Sequence, residues 1–217
     1  MTIKLRLACL LLTLVALPIA AAEVPSLEKA APSGKTPTSH PDALLEAVAA
    51  AWNAMDIAAY TDALYDGRVT APDGRQYEPF RFYFQGEPAN PDGQGPMQSL
   101  ELEINNVGKI FSGKDGTGPD GATIPGVRAL ELTVEKLGEW QPLPIGDSVA
   151  GDAYPAGTMR CEVKKSLRIY LKAAPPGRET DYFDVVDRSE FYAIPVQDPS
   201  QASVEYRLWK WLALSSE

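Results

Sequence analysis

Ala51-Trp52-Asn53-Ala54-Met55-Asp56-Ile57-Ala58-Ala59-Tyr60, continued by Ala63-Leu64-Tyr65, is the stretch on which the fold turns. Upstream of it Leu44, Leu45, Val48, Ala51 and Trp52 recur at three- and four-residue spacing, which draws one apolar stripe along a helix. That helix is expected to begin at Pro41, a residue suited to the first helical position. Asn53 should end it, and Asp56 should cap a second short helix, because a carboxylate there accepts from the orphaned N–H groups of a first turn. Ile57, Tyr60, Ala63 and Leu64 carry the stripe onward, and one kinked helix would fit the same pattern.

After Gly67 the apolar period shortens. Arg68 to Ala71 reads as extended, Pro72-Asp73-Gly74 as a turn, and Arg75 to Tyr77 as the return. Phe80 to Phe84 fits a strand or a short helical face, and Gly86 to Pro96 is a Gly/Pro loop. Leu100, Leu102 and Ile104 alternate with Glu101, Glu103 and Asn105, so a strand is expected there. Leu130, Leu132 and Val134 repeat the pattern; Met159 to Leu171 does so broken only by Lys165; Phe183, Val185, Phe191 and Ile194 follow; Val204, Tyr206 and Leu208 begin the last strand. Alternation at period two means one dry face and one wet face, as in an antiparallel sheet. Helices followed by a run of strands predict an α+β fold, a curved antiparallel sheet wrapped around the N-terminal helices. In the last strand Trp209 and Trp211 flank Lys210, so either a bulge turns the tryptophans inward or both sheet faces are buried.

The ends of the chain speak of its address. Lys4 and Arg6 precede an apolar, uncharged run from Leu7 to Ile19, and Ala20-Ala21-Ala22 offers small residues for cleavage. Residues 1–22 are therefore expected to be a signal peptide, 23–40 a flexible tether and 41–217 one domain, exported to the periplasm or medium without membrane insertion after cleavage. Loss of Lys4 and Arg6 with the leader moves the balance from −9 to −11, with 29 acidic residues retained. An acidic surface disfavours nucleic acid and anionic membranes, since both require a positive field. Cys9 leaves with the leader, so Cys161 stands alone and no disulfide can staple the domain. His40 is the only histidine, which removes the usual His-based triads and zinc sites.

The stretch from Ala51 to Tyr65 resembles the opening of the nuclear-transport-factor-2-like (NTF2-like) superfamily, and Tyr206-Arg207-Leu208-Trp209-Lys210-Trp211 is similar to its final strand. The resemblance implies a cone with an apolar pocket walled by the helix stripe and inward strand residues. Tyr60, Tyr65, Cys161 and one of Trp209 or Trp211 are then the candidate ligand-binding residues, with Trp52 as core. The chain departs from the steroid isomerase branch. That branch carries an Asp directly before a Pro on its first strand, where this chain has Ala71, and a Tyr two helical turns before the capping Asp, where it has Val48. No catalytic residue is therefore assigned, since a base must lie within reach of its proton.

Other motifs are weaker. Gly108 to Lys114 has phosphate-loop spacing but is followed by Asp115 rather than Ser or Thr. Asp115 to Asp120 offers oxygen ligands short of a calcium loop. Asp181, Asp184 and Asp187, spaced by three, read as a solvated edge. No metal and no cofactor is expected. The functional expectation is a non-catalytic module binding a small apolar ligand or a protein partner, with a homodimer through the open sheet a further option. The alternative is an enzyme using a buried carboxylate and tyrosine, for which Glu162, Asp66 and Glu131 are the residues to inspect.

Overall fold

The computed structural model describes residues 40–84, 97–118, 121–197 and 204–214. The expected leader, nearly all of the tether and the Gly86–Pro96 loop lie outside the described residues. The first two helices form where the stripe placed them. α1 runs Pro41–Ala54 and buries Leu44, Leu45, Val48, Ala51 and Trp52. His40, last of the tether, caps it, with Nδ1 accepting from the Asp42 N–H at 3.2 Å. Met55 ends it in the left-handed region (φ 53°). Asp56 then caps α2 (Ile57–Ala63) by accepting from the N–H groups of Ala58 and Ala59.

Seven strands form the main sheet in the order β2-β1-β11-β10-β9-β5, with β6 also paired to β9. Their ranges are β1 Arg81–Phe84, β2 Met97–Ser99, β5 Val127–Lys136, β6 Gln141–Pro142, β9 Met159–Leu171, β10 Tyr182–Gln197 and β11 Val204–Leu214. Two short pairs stand apart: β3 (Gly116–Thr117) with β4 (Thr123–Ile124), and β7 (Ser148–Val149) with β8 (Asp152–Ala153). The sheet is curved and not closed, and the fold is α+β.

Three expectations need correction. Leu100–Phe111 is a helix, α3, and not a strand. Ser99 caps it by accepting from the Leu102 N–H, Glu101 and Glu103 occupy the first turn and Lys109 the last, which suits the helix dipole. The positions facing the core are Leu100, Glu103, Val107, Ile110 and Phe111, a helical spacing hidden because one member is a carboxylate. Arg68–Ala71 and Arg75–Tyr77 are not strands. They flank the expected Pro72–Gly74 turn, and the Tyr65 hydroxyl donates to the Val69 carbonyl while accepting from the Tyr77 N–H, replacing a ladder. Phe80–Phe84 yields a strand, but β1 pairs with β11 in parallel, so the sheet is mixed rather than wholly antiparallel. Leu64 already bridges Leu208 in parallel, and the Phe80 N–H donates to the Tyr65 carbonyl, so the chain returns alongside β11 in that direction.

Each sheet face carries its own apolar cluster. The concave face holds α1, α2 and α3 against Leu130, Leu132, Val163, Ile169, Phe191 and Leu208. β5 is one of the two edge strands, β2 the other. Asn53 of α1 covers part of β5, its amide donating to the Leu132 carbonyl at 3.1 Å. The convex face carries Tyr192, Ile194, Val196 and Trp209, covered by Tyr65 and by Val149 of β7. A register shift opposite Tyr192 and Ala193 makes Trp209 the extra residue of a bulge. Leu208 and Trp211 therefore face the helices while Trp209 and Lys210 face the other way. Of the two options read from the last strand, burial on both faces is what occurs; the bulge is present, but it turns only Trp211 inward and sends Trp209 to the convex face.

Candidate functional site

Helix and sheet do not meet everywhere. Between them lies a cavity of about 210 Å³ that opens to solvent. The α1 and α3 side supplies Trp52, Val107 and Ile110. The sheet side supplies Leu132, Leu167, Ile169, Val185 and Trp211, and β1 adds Phe82 and Phe84. Alternation explains the wall. β9 residues of odd number from 161 to 171 and β10 residues of odd number from 183 to 193 point inward, and the two strands pair so that Lys165 stands opposite Asp187.

The wall carries charge at one place. Lys165 Nζ sits 3.1 Å from Asp187 Oδ1 and 3.9 Å from the centre of the Trp211 ring. Burial pulls the Lys165 ammonium below its usual range, and the Asp187 carboxylate opposes that shift. Glu103 reaches the same space from α3 and accepts a 2.7 Å hydrogen bond from the Tyr60 hydroxyl. Burial pushes the Glu103 carboxyl up, against the Tyr60 hydrogen bond and the Lys165 charge. Burial, and then the neighbouring Glu103, push the Tyr60 hydroxyl well above its usual value. The Trp211 ring is held by packing on Phe82 and Phe191 and by its indole N–H, which donates to Ser189 Oγ at 3.0 Å. Gln98 and Asn106 complete the polar part of the lining. Chemically, this is an oily space with one cation, one exchangeable carboxyl group and a fixed counter-charge.

The five residues expected at a ligand are not all together. Trp211 lines the cavity. Tyr60 is fully buried behind the wall, edge-on to Trp52, and touches the site through Glu103. Cys161 belongs to the concave core, its thiol directed at the Gly138 and Glu162 carbonyls and pushed up by burial, away from the cavity lining. Tyr65 and Trp209 lie on the convex face; the bulge turns Trp209 there, and its indole N–H donates to the Glu78 carbonyl at 3.0 Å. Val48 and Ala71 are buried, so neither isomerase position carries a polar group. Of the carboxylates to inspect, Glu162 pairs outward with Arg188, Glu131 accepts from the Tyr170 hydroxyl, and Asp66 accepts from the Arg68 N–H. None of the three lines the cavity.

Of the two carboxyls that do, Glu103 and Asp187, Glu103 is hidden in sequence by the false alternation of Leu100 to Asn105. Lys165 left a trace, a polar residue at an inward position of an otherwise dry strand; Asp187 did not, since it read as one of a spaced solvated triplet. The phosphate-loop spacing falls on the C-terminal end of α3, where carbonyls rather than N–H groups are free. Asp115 accepts from the Gly126 N–H at 2.8 Å, and Asp120 lies outside the described residues. Among the described residues no group of three His, Cys, Asp or Glu is placed to hold a metal ion, and no helix is long and apolar enough to cross a membrane.

No protein-family model matches the chain, and no curated protein does. Solved structures with a similar arrangement include a Kribbella flavida protein at 13% identity, covering 81% of this chain and 88% of that one with a TM-score of 0.46. An NTF2-like protein of unknown function in nutrient uptake from Rhodospirillum rubrum is 10% identical, covering 82% and 99%, with a TM-score of 0.44. A nuclear transport factor 2 (NTF2-like) superfamily protein from Salmonella enterica is 7% identical, covering 81% and 87%, with a TM-score of 0.41. The likeness is one of architecture.

Proposed function

We infer that this chain, an NTF2-like fold with a hollow cone, is an exported binding module whose cavity takes a small apolar ligand. The observation that carries the reading is the open cavity of about 210 Å³ between α3 and the concave sheet, which Trp52, Phe82 and Trp211 line without filling. Apolar walls with a few convergent polar groups are the usual form of a small-molecule site. Export rests on the basic start, apolar run and Ala20–Ala22 of the leader. A homodimer through the sheet would have to use surface beyond the strip that Val149 and Tyr154 already cover.

Native mass spectrometry of the purified protein tests the reading. A specific apolar molecule lost on denaturation supports it. A protein that carries none, and whose tryptophan fluorescence no apolar probe perturbs, refutes it. A polypeptide beginning at Glu23, recovered outside the cytoplasm, tests the address; one retained with Met1 would refute export. The enzyme reading is favoured by one observation, the Glu103 carboxyl held by Tyr60 on the cavity wall. Such a group, raised by burial, holds its proton more tightly than a free carboxyl and can hand it to a bound molecule.

A further inference from the structure

A lysine on the wall of an apolar cavity is an expensive choice, since methionine would line the same surface without a buried charge. Lys165 is nevertheless placed there by strand alternation, and its side chain is 11% exposed. Its surroundings supply the parts that carbonyl condensation needs. Asp187 Oδ1, 3.1 Å away, can take a proton from the ammonium. The Trp211 ring, 3.9 Å from Nζ, holds the amine on the cavity side of β9. Glu103 reaches the same cavity from the opposite wall, buried enough to hold a proton that it can give up. A desolvated lysine in an apolar pocket is a competent nucleophile towards carbonyl carbon.

We propose that Lys165 is a carbonyl-reactive residue, forming an imine with an apolar aldehyde or ketone bound in the cavity. The proposal rests on the binding reading above and deepens it. In the first step the ammonium passes a proton to Asp187, and the free amine attacks the carbonyl carbon. The C–N bond forms, the C=O π electrons move to oxygen, Asp187 passes its proton to that oxygen and then takes a second proton from nitrogen, giving a neutral carbinolamine. In the second step Glu103 protonates the hydroxyl, the C–O bond breaks and water leaves. The nitrogen lone pair forms the C=N bond, and Glu103 recovers a proton from Asp187 through solvent, so the iminium keeps the single positive charge opposite the Asp187 carboxylate. Both protons that nitrogen loses between ammonium and iminium leave in the water, so no oxidant or reductant is required.

Lys164 provides an internal control. It precedes Lys165 in the same strand, points the other way and is exposed. The test incubates the purified full chain with trans-cinnamaldehyde and sodium cyanoborohydride, then maps the reduced adducts by peptide mass spectrometry. Binding of cinnamyl alcohol, which lacks the carbonyl, is followed in parallel by tryptophan quenching. The expected result is adduct on Lys165 at about tenfold or more over Lys164 in early time points. It should be competed away by cinnamyl alcohol and lost in Lys165→Met. Glu103→Gln is expected to slow adduct formation while leaving cinnamyl alcohol binding in place. Adducts confined to Lys164 and other surface lysines, with cinnamyl alcohol still quenching the tryptophans, would overturn the imine proposal and leave the binding reading standing. No adduct on Lys165 and no quenching by either compound would overturn both.

Discussion

Lys165 and Lys210 are buried on opposite faces of one sheet, and they are solved in opposite ways. On the convex face Lys210 is enclosed by Asp152, the Tyr83 hydroxyl at 3.2 Å and the Trp209 ring at 4.6 Å. Asp152 in turn takes Arg81 at 3.3 Å, so the β7–β8 segment is locked to the sheet by a complete set of partners. On the concave face Lys165 has Asp187 and the Trp211 ring on one side and the cavity on the other. A buried charge with every side occupied is a structural tie; one with a side left on empty space is placed to meet a ligand. The two residues are separated by a sheet one strand thick, and β1 shows the division directly, with Phe82 and Phe84 at the cavity and Arg81 and Tyr83 at the tie.

The sharpest way to break this contrast is through the ring nearest Lys165. Trp211→Ala removes packing on Phe82 and Phe191 and should destabilise the fold by about 4 kcal/mol, read as a fall in denaturant midpoint. Lys210→Met should cost about 3 kcal/mol, since Asp152 loses its buried cation and keeps only Arg81 and the Tyr83 hydroxyl, and should leave the proposed binding in the cavity intact. If Lys165→Met cost as much as Lys210→Met, the division between tie and site would fail. It is expected to cost less than about 1 kcal/mol, because Asp187, 30% exposed, can turn towards water when its partner goes.

Glu103 sharpens the contrast through pH. Its carboxyl is raised in the folded state, so the folded protein holds that proton more tightly than the unfolded chain. The resulting stability is complete below the unfolded value of 4.5 and is lost as pH rises through the folded value. Glu103→Gln removes this dependence. The variant should melt higher than the parent at neutral pH, with the gap closing by about pH 4 in a series of thermal melts. A smaller gain, about 0.5–1 kcal/mol, is expected from Met55→Gly, which relieves the left-handed C-cap of α1. Arg168→Ala, which breaks an exposed cross-strand pair with Asp184, should leave the melting temperature unchanged.

Much of the fold was legible because its elements are periodic. The α1 stripe, the Asp56 cap and the long strands around Leu130, Val163 and Phe191 follow local patterns that tertiary packing did not override. The break at Trp209–Trp211 pointed to either a bulge or two buried faces and did not decide between them. What failed was α3, where the Glu103 carboxylate sits in the apolar stripe and leaves a spurious alternation on either side. The direction of β1 was equally hidden, since a parallel pairing with β11 is decided by how the chain leaves α2 and not by Phe80–Phe84. The site suffered more. Lys165 was visible as an interruption and Asp187 as one of a spaced triplet, but only the strand register puts them face to face. Of the aromatic residues considered, Trp211 lines the cavity, while Tyr65 and Trp209, which share its aromatic character, lie on the convex face.

A crystal of the protein under xenon pressure tests the hollow cone most directly, because xenon settles against apolar walls and finds no room in a packed core. A xenon peak between Trp52, Val107, Leu132 and Trp211 is the expected result. No peak there, with Trp211 or Phe82 turned into the space, would contradict the account.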